Sequence, residues 1–295
     1  VKAMKGKLLN YNTYYSLSSV NTVDDLGRNL KELYSYRYLL QDISDTKKIS
    51  RMDIEVKLIH ASYKQFKSIN SFISDTNLKK YLKVITLDSK IKLLKYMLCG
   101  VYDERELEYD VEEVEDMLSS DSTGIVAKLV EARTIEEFIE NLKGTEFYSV
   151  LSQVYTENVS LFELEMALDL YYYSRLWSMQ NKYLDKKNKN IMHMINGTKV
   201  DIQNILWIYR LKLYYNVEPE KMYSYLIPIN YKLTKEQIVK MVESRTMEEL
   251  KNEIATTKYG KYFADDDNLD KIGTNILKDV YDRAVHLSPN SIAVI

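Results

Sequence analysis

Glycine and proline are scarce, 8 and 3 of 295 residues, too few for the many tight turns of a β-sandwich or barrel. Cysteine is scarcer still. The single Cys99 excludes an internal disulfide and an all-cysteine zinc site, and the histidines, His60, His193 and His286, lie too far apart to form a recognisable metal-ligand cluster. A metal or other cofactor is therefore not expected, and a reducing, cytosolic setting fits this usage. No segment reaches the roughly 18 uninterrupted apolar residues that span a bilayer; even Ile91 to Tyr102 is cut by Lys92 and Lys95. An excess of either charge is also missing. The 41 basic and 43 acidic residues leave a formal net charge of −2 and are interleaved nearly throughout, which disfavours nucleic acid as a partner.

What is present is a 45% hydrophobic, 28% charged chain of globular composition. Apolar residues recur at three- and four-residue spacing: Ile54, Leu58, Ala61, Phe66; Ile91, Leu94, Leu98; Leu161, Leu164, Met166, Leu168; Ile202, Ile205, Leu206, Tyr209, Leu213. The fold class this predicts is all-α. Cys99, among Met97, Leu98 and Val101, reads as a small buried hydrophobe.

The chain repeats itself. Val130 to Phe138, VEARTIEEF, returns as Val242 to Leu250, VESRTMEEL, with a fainter copy at Asn21 to Leu26, NTVDDL. Thr22, Thr134 and Thr246 stand 112 residues apart, and each is followed eight positions on by Leu30, Leu142 or Ile254. Aromatics arrive near the thirteenth position: Tyr34 and Tyr36, Phe147 and Tyr148, Tyr259. Each threonine precedes an acid by three residues (Asp25, Glu137, Glu249), the capping-box spacing in which hydroxyl and carboxylate satisfy each other's orphan N–H groups. These three threonines are therefore predicted helix caps, each worth about 1 kcal/mol. Long helices are expected at Arg51 to Ile73 and Leu161 to Leu184, with a third element at Asp88 to Leu98 and Asp201 to Tyr215. The repeat predicts units at 1–115, 116–228 and 229–295, the last incomplete. It has only 49 residues after its threonine, so a tail beyond Ile295 is expected. A longer start is expected too, because the sequence opens at Val1 without a methionine or a signal-peptide pattern.

On a helical wheel, Asp201 to Lys212 is apolar on nearly every side, with Gln203 and Arg210 on one narrow polar strip. Such a helix is central and mostly buried. Asn204 shares a face with Ile208 and Leu211, so its amide needs a tertiary partner. Arg210 and Lys212 are the candidates for polar contacts, either in an internal network with Asp201 or with a partner.

The stretch Asp201 to Tyr215, Pro219-Glu220, Leu226-Ile227-Pro228, the Glu243 to Leu250 cap with Tyr259-Gly260, and the closing Ser288-Pro289-Asn290-Ser291-Ile292 together resemble the C subunit of prokaryotic V-type (A/V-type) ATPases, whose eukaryotic relative is the V-ATPase d subunit. The likeness is specific from about Asp201 onward. It implies three similar helical subdomains arranged as a funnel, and a non-catalytic role. Family members sit on the cytoplasmic face of the membrane rotor ring, receive the foot of the central shaft and pass torque between ATP turnover and proton or sodium movement. The implied partners are thus the shaft subunits and the ring. In the family a helix of leucines and charges follows the Ser-Pro-Asn-Ser segment, and this chain stops before it. No phosphate-cradling Gly-x-x-x-x-Gly-Lys, dinucleotide fingerprint, His-Glu-x-x-His or nucleophile elbow occurs, so ATP hydrolysis is expected elsewhere. The 26 tyrosines suit protein interfaces, as amphipathic rings do; biased codon usage, with rings filling helix grooves, accounts for them equally.

Two other readings compete. Asp266-Asp267-Asn268-Leu269-Asp270 matches the Asp-Asp-x-x-Asp pattern by which helical isoprenoid synthases hold Mg²⁺ and diphosphate. That chemistry needs a second metal motif across an apolar cavity, and none is found. The acids follow Tyr259-Gly260-Lys261-Tyr262, which reads as a helix end, so a solvated acidic loop at the start of the next helix is expected. A helical adaptor with a peptide groove is the other, but its repeats run about 33 to 47 residues rather than 112.

Overall fold

The computed structural model describes residues 9–104, 111–118, 124–215, 217–264, 268–289 and 291–292, and among them every regular element is a helix. The order is α1 Tyr11–Ser18, α2 Val23–Glu32, α3 Arg37–Leu40, α4 Arg51–Phe72, α5 Thr76–Tyr102, α6 Val111–Leu118, α7 Ile125–Glu131, α8 Ile135–Asn141, α9 Glu146–Val154, α10 Leu161–Tyr183, α11 Lys186–Arg210, α12 Pro219–Tyr225, α13 Lys235–Glu243, α14 Met247–Ala255 and α15 Leu269–Leu287. A π-helical turn, Leu211–Tyr215, continues α11, and a 3₁₀ turn covers Gly260–Tyr262. The chain forms two compact units. Unit 1 comprises Val1–Asp75 and Ile85–Tyr155; unit 2 comprises Thr76–Val84 and Thr156–Ile295.

Unit 1 buries Leu30, Leu40, Ile43, Ile49 and Ile54 together, with Leu26, Leu33 and Leu39 against them. On α4 the buried positions are Ile54, His60, Ala61 and Tyr63. Leu58, expected on that stripe, is 38% exposed and lines a cleft of about 630 Å³ with Tyr34, Tyr36, Arg37 and Tyr38. His60 lies 3.7 Å from the Asp116 carboxylate, which a distant helix brings alongside it. Cys99 is half-buried, with its thiol 3.6 Å from Asp103 one turn on.

Unit 2 is organised on α11, whose residues from Met192 to Tyr209 are mostly buried and which packs against α10 and α15. This helix begins fifteen residues before Asp201. The Asp185 carboxylate caps it, accepting from the amides of Lys187 and Asn188 at 2.9 and 3.0 Å. The expected helix over 88–98 likewise lies inside the longer α5. Leu213, predicted on the buried row, is 46% exposed, and Tyr214 and Tyr215 are 70% and 57% exposed. The π turn puts an extra residue into each turn and rotates these side chains out of register.

The three repeated threonines are N-caps with nearly the same backbone: φ/ψ of −130/156° at Thr22, −128/156° at Thr134 and −126/158° at Thr246. Each hydroxyl oxygen accepts from the amide three residues on at 3.1 Å. The acids behave differently from a capping box. Glu137 and Glu249 accept from the amides of Arg133 and Arg245, one residue before the cap, whereas the shorter Asp25 accepts the Thr22 hydroxyl. Reciprocal capping boxes form instead at Ser50–Asp53, Ser160–Glu163 and Thr234–Gln237. Of the repeat's aromatics, Phe147 and Tyr259 are buried and Tyr34 is 91% exposed.

Candidate functional site

The chemistry-bearing side chains singled out in the sequence converge on one face and the C-terminal end of α11, all within unit 2. Asp201 is fully buried. Its Oδ1 accepts from the Tyr231 amide at 3.2 Å, and its Oδ2 accepts from the amides of Lys232 (2.7 Å) and Leu233 (3.1 Å) and from the Tyr259 hydroxyl (2.8 Å). Burial pushes the carboxyl above its ordinary value, while these four donors pull it back toward the ionised form. The Tyr259 phenol is driven far up by burial and by the neighbouring carboxylate, so it stays a donor.

Asn204, also fully buried, binds Ile227 in both directions: its Nδ2 donates to the Ile227 carbonyl at 3.0 Å and its Oδ1 accepts from the Ile227 amide at 2.9 Å. That is the tertiary partner its position demanded. Gly197, one turn before Asp201, lets the loop approach: a Cβ there would stand 2.7 Å from the Tyr231 ring Cδ2 and 2.8 Å from the Tyr231 Cβ. Further toward the N-terminus, Asn196 donates to Gln180 Oε1 (2.8 Å) and to the Tyr81 hydroxyl (3.0 Å). The Tyr81 phenol, buried, has its pKa raised to about 12.

Arg210 and Lys212 do not pair with Asp201. They lie nine and eleven residues farther along, about 13 Å or more up the helix axis. Arg210 Nη2 meets Asp270 Oδ1 at 2.6 Å, with the Asp270 side chain 87% exposed. Lys212 Nζ donates to the carbonyls of Val242 (2.6 Å) and Ser244 (2.7 Å), closing the C-terminal end of α13 as a cation does for orphan carbonyls. Partial burial lowers its ammonium pKa, against the pull of Glu243 and Glu249. Elsewhere in the unit, Glu163 caps α10, takes the Lys221 ammonium at 2.9 Å and accepts from Tyr225; its carboxyl falls to about 2, chiefly through Lys221 and the Ser160 amide.

Sequence reasoning missed Gln180, Asn196 and the hydroxyls of Tyr81 and Tyr259. Asn196 lay outside the wheel begun at Asp201, and nothing local marks a tyrosine as a donor to a carboxylate 58 residues away. Of the Asp-Asp-x-x-Asp segment, Asp266 and Asp267 lie outside the described residues, and Asp270, in the first turn of α15, is bonded to Arg210. His193 stacks between Trp177 and Tyr231, with ring centroids 4.4 and 5.6 Å away, and burial lowers its pKa; His286 lies exposed in the last turn of α15. Among the described residues no group of three or more His, Cys, Asp or Glu is placed to hold a metal ion, and no helix is long and apolar enough to cross a membrane.

Compared with known proteins, residues 1–295 match the family model described as ATP synthase (C/AC39) subunit. The A-type ATP synthase C subunit of Methanosphaera stadtmanae is 27% identical over 95% of this chain and 74% of its own length. That of Methanobrevibacter smithii is 25% identical over 90% of this chain, which spans 66% of that relative. That of Pyrococcus abyssi is 22% identical over the whole chain and 78% of its own length.

Proposed function

The chain belongs to the ATP synthase (C/AC39) subunit family, and from that premise we propose that it is a non-catalytic coupling subunit of an ion-translocating ATP synthase or ATPase. It acts as a socket on the central rotor, seating the foot of the shaft and linking it to the membrane ring on the cytoplasmic face. Its three repeat units present equivalent helical surfaces to those partners, and ATP chemistry takes place on other subunits. The observation that carries this reading is the α11 brace. The carboxylate of Asp201, the amide of Asn204 and the ammonium of Lys212 are all bonded to the unit's own backbone, which suits a part that transmits load and leaves no free reactive group among them. Exposed rings such as Tyr34, Tyr214 and Tyr215 offer the amphipathic contact area that rotor interfaces use.

Purification of the full-length subunit through an affinity tag tests this: shaft and ring subunits should come with it, and the joint substitution Asp266→Ala, Asp267→Ala should leave that assembly intact. Recovery of the subunit without either partner, or magnesium-dependent turnover of prenyl diphosphates lost in the same double variant, would overturn the assignment.

A further inference from the structure

Unit 2 holds a second polar feature, apart from the brace. A cavity of about 210 Å³ is lined by Lys232 from the loop before α13, by Lys258 and Lys261 on either side of Tyr259, and by Arg283 on α15. Its wall includes Thr198, Tyr259, Ile276 and Val280, none more than 5% exposed. Among the described residues none of the four cations is ion-paired. The one carboxylate lining the cavity, Asp279, accepts the Tyr262 hydroxyl at 2.6 Å. Asp201, which acts on Lys232 from behind, is occupied by its three amides and Tyr259. Lys232 and Lys261 lie over aromatic faces, Tyr231 at 5.1 Å and Tyr262 at 4.6 Å. The Thr198 hydroxyl lies beside the Tyr259 phenol, whose own proton is committed to Asp201.

Four cations against two carboxylates around a cavity backed by a buried wall form an arrangement that an oxyanion would relieve, because like charges gathered at one cleft focus the field on a counter-ion. The mutual repulsion is visible at Lys232: burial first, then Arg283 and Lys258, lower its ammonium pKa. The volume admits phosphate or diphosphate and is below the roughly 300 Å³ at which pockets for larger organic ligands begin.

We propose that this cavity binds a phosphate-class oxyanion, held by Lys232, Lys258, Lys261 and Arg283, with the Thr198 hydroxyl as a further donor. The site does not depend on the rotor reading, since binding is measured on the subunit alone.

The test is calorimetric titration of the full-length subunit with inorganic phosphate, sodium chloride being adjusted to constant ionic strength. One saturable site is expected. Lys258→Gln and Arg283→Gln, both exposed side chains, should each weaken binding about tenfold, the loss of one charge-assisted contact. The double variant should abolish it with an unchanged helical circular dichroism spectrum, while Lys128→Gln in unit 1 should bind as the parent does. Pyrophosphate and ADP distinguish the source: ADP no tighter than pyrophosphate assigns the free anion, and ADP tighter but still lost in the double variant assigns the phosphate end of a nucleotide. Absence of saturation, acetate binding as well as phosphate, or a double variant that binds like the parent would overturn the proposal.

Discussion

Asp201→Ala should be among the most damaging single changes in unit 2. The substitution removes one acceptor group and leaves four donors facing its place: the amides of Tyr231, Lys232 and Leu233 and the Tyr259 hydroxyl. A buried donor left unsatisfied costs about 1–3 kcal/mol. The Leu233 and Tyr259 bonds are fully buried and bear that cost; the other two lie nearer the surface, where water compensates in part. The total is about 3–5 kcal/mol, similar to breaking other buried charged contacts and a large fraction of a domain's stability. For a unit of this size it lowers the unfolding temperature by about 6–20 °C.

Asp201→Asn separates hydrogen bonding from packing. With its oxygen in the Oδ2 position, asparagine keeps the three bonds to Lys232, Leu233 and Tyr259 and turns its NH₂ toward the Tyr231 amide, a loss of about 1–2 kcal/mol. Calorimetric unfolding gives the totals, and hydrogen exchange at residues 231–233 reports whether the loop itself has been released. An alanine variant within about 1 kcal/mol of the parent, or an asparagine variant as damaged as alanine, would refute this account of the brace.

Arg210→Ala should cost at most about 1 kcal/mol in thermal unfolding, because its partner Asp270 is solvent-exposed, whereas Lys212→Met, which strips the donor from two carbonyls, should cost about 1–3 kcal/mol. Glu163 has a folded pKa depressed from 4.5 to about 2, so its contribution is present above about pH 4.5 and lost as pH falls toward 2; urea unfolding at pH 5 and pH 3 should show this slope in the parent and a flatter one in Glu163→Gln. Gly197→Ala drives a methyl into the Tyr231 ring and should destabilise by about 1–3 kcal/mol, read as faster exchange of the 231–233 amides.

What was legible in the sequence was what is local. A threonine and the amide it caps lie within one turn, so all three repeated caps could be read, and the scarcity of glycine and proline foretold the helices. The partners of the capping acids were not legible, because one methylene separates a glutamate that reaches the amide before the cap from an aspartate that stops at the threonine hydroxyl. The start of α11 escaped because Lys186 to Asn190 carries no apolar spacing, and the helix is begun there by Asp185. Asn204's need for a partner followed from its buried face. Which partner did not, since Ile227 lies 23 residues on, in a loop whose course depends on packing. Leu213 went wrong because a π turn changes the period on which the reading relied.

Gly197, Asp201 and Asn204 fall at four- and three-residue spacing, so they form one stripe along a helix otherwise apolar on nearly every side. The loop runs along this stripe in the opposite direction to the helix: Ile227 lies at Asn204, residues 231–233 lie at Asp201, and the Tyr231 ring lies over Gly197. A one-residue slip would bring Leu226, or Pro228 with no N–H, to Asn204, take the carboxylate from its donors and press the tyrosine ring against a neighbouring turn. Three features of different chemistry thus fix the same register. Lys212 then ties the far end of α13 to the continuation of the same helix, beside the packing of α13 on α12 and α14. Load applied to the loop passes into α11 through this stripe, and for that reason substitutions along it should loosen the loop and α11 together while those at Arg210 do not.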